Sequence, residues 1–280
     1  MTIDGNENRK QEHYRGERVA EARRIVEKAV EKNVTLKLIG GLAVRNHCDI
    51  IDFCERDYSD IDLVGLSKQF KDIEKVFEEL GYIEDKDVVL ASGGQRIQFH
   101  SKDRKDHVDV FIDKFNMDHD VIDLKNRLHI EKYTISLSDI LLTKIQIHEI
   151  NEKDIRDILT LFKDCDIGED DAPGTLNLKY IAEKCADDWG LYYDVTANIE
   201  KCLSLMKNYT LTLKEAEKIR KGLNQMKQLI EQKPKTKKWI KRSKIGLKKP
   251  WWNIIEAEDR ENTRERTSKR QDNVTDKISS

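Results

Sequence analysis

The sequence predicts an α/β fold: a small mixed sheet flanked by helices, followed by a helical bundle and a basic, largely disordered C-terminal tail. Three observations carry that prediction. In the first half, short runs of Ile, Val, Leu and Phe alternate with segments whose apolar residues recur at helical spacing. After about residue 135 only the helical spacing persists. From Lys233 to Lys249 there are nine Lys or Arg and no acid, and the residues beyond have almost nothing to bury.

Residues 1–13 are polar and expected to be loose. From Tyr14 to Glu31, Val19, Ala22, Val26, Ala29 and Val30 predict an amphipathic helix. "LKLIGG" reads as a short buried strand that Gly40 and Gly41 end, opening a short helix over "LAVRNHC". "DIDLVG" is a second strand. A helix over 68–80 follows, with Phe70, Ile73, Phe77 and Leu80 on one face and Gly81 closing it. "RIQFHS" and "HVDVFID" form a hairpin about "KDRKD".

Ser138 is placed to cap a helix to about Glu149, and Asn151 one to Lys163. The acidic linker "DCDIGEDDAPGT" carries one of only three prolines and marks a boundary. Helices near 178–188, 190–207 and 212–232 complete a bundle. The expected division is therefore an α/β domain over 14–165, a helical domain over 175–232 and a tail over 233–280. Trp239, Trp251 and Trp252 lie in or beside the basic run, a composition that can hold phosphates and stack on bases, or equally be a solvated tail without a partner.

A net charge of -2 and a pI of about 6.4 exclude a global pull towards nucleic acid or anionic membrane. No uncharged apolar run approaches the roughly 18 residues of a spanning helix, and the N-terminal residues lack a signal-type apolar core. Five cysteines, an odd number without a C-x-x-C pair, read as reduced thiols. The chain is expected in the cytoplasm, with no membrane partner.

The chemistry concentrates between residues 38 and 65. Strand side chains alternate, so Asp60 and Asp62 share one face while Ile61 and Leu63 take the other. Two carboxylates so placed suit Mg2+, whose charge relieves their repulsion. Gly40 and Gly41 lie where a strand turns into a helix, and backbone N–H groups there can receive phosphate. In "HVDVFID", Asp109 shares a face with His107 and Phe111, opposite the core-facing Val108, Val110 and Ile112. It is the candidate third acid for two metals, with Asp113 the competing choice. On the helix after residue 138, Lys144 falls inside an apolar arc and needs an anionic partner; a snorkelling stem is the other reading. Asp154 on the next helix is placed to pair with it.

Gly-Gly, Asp-x-Asp and a lone Asp on a later strand together resemble the nucleotidyltransferase superfamily, whose members include polymerase beta, antibiotic-adenylylating enzymes and minimal nucleotidyltransferases. "RDYSDIDL", with Arg56 and Ser59 ahead of the acid pair, is closest to the branch containing the abortive-infection type IV toxins. Lys144 and the acids Asp154 and Asp157 match that branch's later helices. Residues 34–163 carry the likeness.

The resemblance implies a metal-dependent enzyme that transfers an NMP from an NTP to a hydroxyl acceptor and releases pyrophosphate. Asp60, Asp62 and Asp109 would be the catalytic acids and hold two Mg2+, and Gly40, Gly41, Ser59 and Lys144 would bind the nucleotide. It implies RNA as the acceptor and a possible antitoxin partner. A small hydroxylated molecule such as an antibiotic is the alternative acceptor, and a non-catalytic nucleotide-binding module of the same fold is a third reading.

Overall fold

In a computed structural model of the chain, residues 4–49, 53, 56, 58, 60–102, 107–119 and 122–253 are described. Helix α1 (Asp4–Glu31) starts ten residues before the expected Tyr14. Ala22, Ile25, Val26 and Ala29 form its buried stripe, while Val30 points to solvent. Strand β1 (Leu36–Leu38) leads into α2 (Gly40–Asn46), β2 (Ile61–Gly65), a 3-10 turn and α3 (Phe70–Glu79). Two short elements went unpredicted, β3 (Ile83–Asp85) and α4 (Lys86–Ala91). The hairpin strands β4 (Arg96–His100) and β5 (His107–Ile112) complete the sheet.

The sheet order is β1-β2-β5-β4-β3. Only the β2–β5 pair is parallel, which makes the sheet mixed, as predicted. The crossover between those two strands carries α3, whose Phe77 stacks on Phe99 of β4 at 3.9 Å between ring centroids. Val108, Val110 and Ile112 are buried in the core, so Asp109 emerges on the opposite face.

Helices α5 (Leu137–Ile145) and α6 (Glu152–Asp164) pack against each other and against α2. The cap of α5 is Ser136, which accepts from Asp139 N; Ser138 lies inside the helix and accepts from Asn177 N instead. α5 also ends at Ile145, so His148 belongs to the loop that follows. Asn151 caps α6 as expected.

The acidic linker holds two strands, β6 (Asp166–Gly168) and β7 (Thr175–Asn177), paired in parallel. Beyond them run α7 (Leu178–Asp187), α8 (Trp189–Leu205) and α9 (Leu213–Gln232), close to the expected bounds. One apolar cluster runs from α1 through the sheet to α9.

The basic segment is folded as far as Asn253, against the expectation of disorder from residue 233. It contains α10 (Lys237–Ser243), and Arg242 donates to the carbonyls of Gly246, Lys249 and Pro250. Its tryptophans turn inward: Trp239 meets Tyr192, Trp251 packs on Trp189 and Tyr193, and Trp252 stacks on His148. The expectation for residues 254–280 lies outside the described residues.

Cys48 is disulfide-bonded, which corrects the reading of five reduced thiols. An odd count excludes complete pairing but not a single bridge. Cys165, Cys185 and Cys202 are free and buried. Among the described residues no helix is long and apolar enough to cross a membrane.

Candidate active site

The site begins where β1 gives way to α2. Ile39 N donates to Asp62 O at 3.0 Å, tying the end of β1 to the acid-bearing strand. Gly40 follows with φ +67, a left-handed conformation that favours glycine, and a Cβ there would lie 2.9 Å from Asp62 Oδ2. At Gly41 a Cβ would lie 2.0 Å from Arg56 Nη2. The glycine pair is thus explained twice, once by the close acid and once by the guanidinium packed over it. No side chain caps the first turn of α2.

Gly40, Gly41, Asp60, Asp62 and Lys144 line one cavity of about 210 Å³. Five of the seven residues singled out from sequence therefore meet in one place. Ser59 lies outside the described residues, and Asp109 is not part of the lining. Phe115, Met117 and Ile147 form an apolar side of the cavity that sequence patterns did not signal.

The acids repel one another. Burial, then Asp109, then Asp60 push the Asp62 carboxyl up to about 7 from its ordinary 3.8, against the pull of Lys144 and Arg96. Asp60 Oδ1 sits 3.0 Å from His107 Nε2, and the hydrogen bond to Asp60 raises the imidazole above its usual range. The donor set suits a hard divalent cation, because a cation between Asp60 and Asp62 relieves the repulsion that, after burial, raises the Asp62 carboxyl.

Asp109 is differently placed from the expectation of a metal ligand. The parallel register sets it directly beside Asp62, on the predicted face. Its oxygens, however, accept three side-chain hydrogen bonds: Arg96 donates from Nε and Nη2 to the two oxygens at 2.9 Å each, and Gln98 Nε2 donates to Oδ1 at 2.9 Å. Among the described residues no group of three or more His, Cys, Asp or Glu side chains is arranged to hold a metal. Arg96 and Gln98 were missed, although an Arg-x-Gln alternation beside an acid strand is the available signal. Asp113, the competing choice, accepts from Ser67 N and faces Lys125 at the far end of β5.

Lys144 has protein partners. Its Nζ lies 3.0 Å from Asp154 Oδ1, the pairing expected from the helical wheel, and 2.9 Å from Asp157 Oδ2. Burial alone would depress the ammonium, but Asp157 and Asp154 outweigh it and hold it above its usual range. Asp157 also accepts from Arg56 Nη2 at 3.0 Å, and Arg56 lies over the Tyr58 ring. Arg56, Asp157, Lys144 and Asp154 thus form a chain of alternating charge that ties the loop before β2 to α5 and α6.

No family model matches the chain, and no curated protein matches it. Among solved structures, the solution structure of the antibiotic-resistance factor ANT(2'')-Ia is similar over 69% of this chain and 97% of that chain, at 14% sequence identity and a TM-score of 0.37. At that level of likeness the functional reading rests on the geometry of the site itself.

Proposed function

We propose that the chain is a nucleotidyltransferase that moves an NMP from an NTP to a hydroxyl acceptor and releases pyrophosphate. The observation that carries the reading is the shared cavity, where a glycine turn, two strand carboxylates and a buried ammonium line the same space. Asp60 and Asp62 would hold a divalent cation, which when bound supplies charge neutralisation for the phosphates. Gly40 and Gly41 line the cavity, so backbone N–H groups at the start of α2 would meet the phosphate oxygens. Lys144, oriented by Asp154 and Asp157, offers its remaining N–H to the leaving pyrophosphate. The acceptor hydroxyl oxygen bonds the α-phosphorus as the P–O bond to the α–β bridging oxygen breaks, pyrophosphate leaves, and the hydroxyl proton passes to solvent.

A small hydroxylated acceptor is favoured over RNA, because Trp239, Trp251 and Trp252 are half-buried and already packed on Tyr192, Trp189 and His148, which leaves less ring surface to stack on bases. The test uses labelled NTPs with a panel of small hydroxylated acceptors and with total RNA. Pyrophosphate release with a small acceptor is expected, lost by about 1,000-fold or more in Asp60→Ala without a fall in melting temperature. Label transferred only to RNA would replace the acceptor reading and leave the chemistry. Absence of both NTP binding and pyrophosphate release with every acceptor would end the proposal.

A further inference from the structure

The face shared by β4 and β5 is built to hold a carboxylate, and it holds Asp109. Arg96 and Gln98 alternate along β4, so both side chains leave the same face. The antiparallel register sets Gln98 opposite Asp109 and Arg96 opposite Phe111, whose ring lies 5.7 Å below the guanidinium carbon. A fork of two guanidinium hydrogens and one amide hydrogen therefore converges on a carboxylate that is only 3% exposed. Bidentate arginine pairs of this kind are among the stronger and most directional hydrogen bonds in proteins.

On its other side Asp109 is the cross-strand neighbour of Asp62. A second cation bridging those two acids would compete with Arg96 and Gln98 for the Asp109 oxygens, and would stand close to a fixed positive charge. The guanidinium supplies to Asp109 the charge that a second ion would otherwise supply.

We propose that Arg96 sets the cation count of this site: while its guanidinium holds Asp109, the Asp60 and Asp62 pair takes one divalent ion and no second ion binds. The inference rests on the reading of Asp60 and Asp62 as a cation clamp. It makes Arg96 a residue that determines metal stoichiometry, acting through Asp109 and not by touching substrate.

The test is a Mn2+ titration of the full chain, with bound ions counted by electron paramagnetic resonance and folding checked by circular dichroism. Wild type is expected to bind one ion, and Arg96→Met a second, weaker one. Asp109→Asn is expected to keep the single ion with affinity within about threefold, the effect of a nearby charge paired with Arg96 and not of a lost ligand. Two ions on wild type, one ion on a folded Arg96→Met chain, or a loss of about tenfold or more in Asp109→Asn would overturn the proposal. If Arg96→Met does not fold, the wild-type count and the Asp109→Asn affinity decide it. Absence of binding to wild type, or a single ion indifferent to Asp60→Ala, would overturn the clamp as well, an outcome distinct from failure at Arg96 alone.

Discussion

Replacing Gly41 by alanine should destabilise the protein through one identifiable contact. Gly41 lies in α2 without a left-handed φ, so in open space alanine would stabilise the helix by about 1 kcal/mol. The added Cβ would instead lie 2.0 Å from Arg56 Nη2 and 2.9 Å from its Cζ. Arg56 cannot yield cheaply, since it donates to both oxygens of Asp157 and lies 4.7 Å from the Tyr58 ring centroid. Asp157 would keep Lys144, so the loss falls short of the 3–5 kcal/mol typical of orphaning a buried charge; about 2–3 kcal/mol is the expected cost, or about 1–2 after the helix gain. That corresponds to a fall in melting temperature of roughly 2–8 °C. The decisive assay is a double-mutant cycle by urea unfolding. In an Arg56→Met background, Gly41→Ala should become neutral or stabilising, because the clashing group is gone and only the 3.3 Å approach to Tyr58 remains. An equal penalty in both backgrounds would show that the guanidinium is not what excludes a side chain at residue 41.

Two further outcomes follow from the charges and from the C-terminal segment. Because the folded-state pKa of Asp62 is raised to about 7, its proton is held more tightly in the folded than in the unfolded chain. Its contribution to stability is therefore complete below about 4 and lost as pH rises through about 7. Asp62→Asn should flatten that dependence and raise the melting temperature at pH 8; an unchanged profile between pH 4 and 8 would refute the assignment. At Gly190, a Cβ would lie 2.8 Å from the Trp251 carbonyl oxygen, so Gly190→Ala should lift the C-terminal segment and speed tryptic cleavage between residues 244 and 249 by about tenfold, as expected when local opening becomes easier by 1–2 kcal/mol. Cleavage at the wild-type rate would show that the segment is held elsewhere.

The period-two alternation of "DIDLVG" and "HVDVFID" was enough to read the acid faces and the neighbouring strands, because one face of each strand packs into the apolar core and a slip by one residue would turn the carboxylates into that core. The partners of those acids were not legible. Arg96 and Gln98 meet Asp109 only through the sheet register, and Arg56 meets Asp157 across more than a hundred residues. The Arg-x-Gln alternation beside the acid strand hints at the first contact, and no local spacing encodes the second. Strand β3 was missed because its three residues are exposed or half-buried and show no alternation. The tail was misread for a related reason. Composition registers tryptophans beside lysines, but Trp251 finds its place above a glycine in α8, with its indole N–H on Asp194 at 3.0 Å.

That C-terminal segment also bears on the cavity. Asp194 accepts from Trp251 and lies 2.8 Å from ring nitrogens of both His119 and His148, while Asn253 donates to the carbonyls of Asp118 and Met117. Met117 and Ile147, the neighbours of these anchors, form the apolar side of the site. The charged groups of the lining are mixed in sign: Asp60, Asp62 and Asp154 share the space with Arg56, Lys144 and Lys153. Such a lining has no net attraction for a polyanion, and Lys144 is already compensated by two carboxylates. On the proposed reading, a triphosphate gains its electrostatic hold when a divalent cation joins Asp60 and Asp62, which turns a neutral cavity into a cationic one. Cation and nucleotide should then bind with strong mutual dependence, and the linkage between them is set by charges that belong to the fold and not to the ligand.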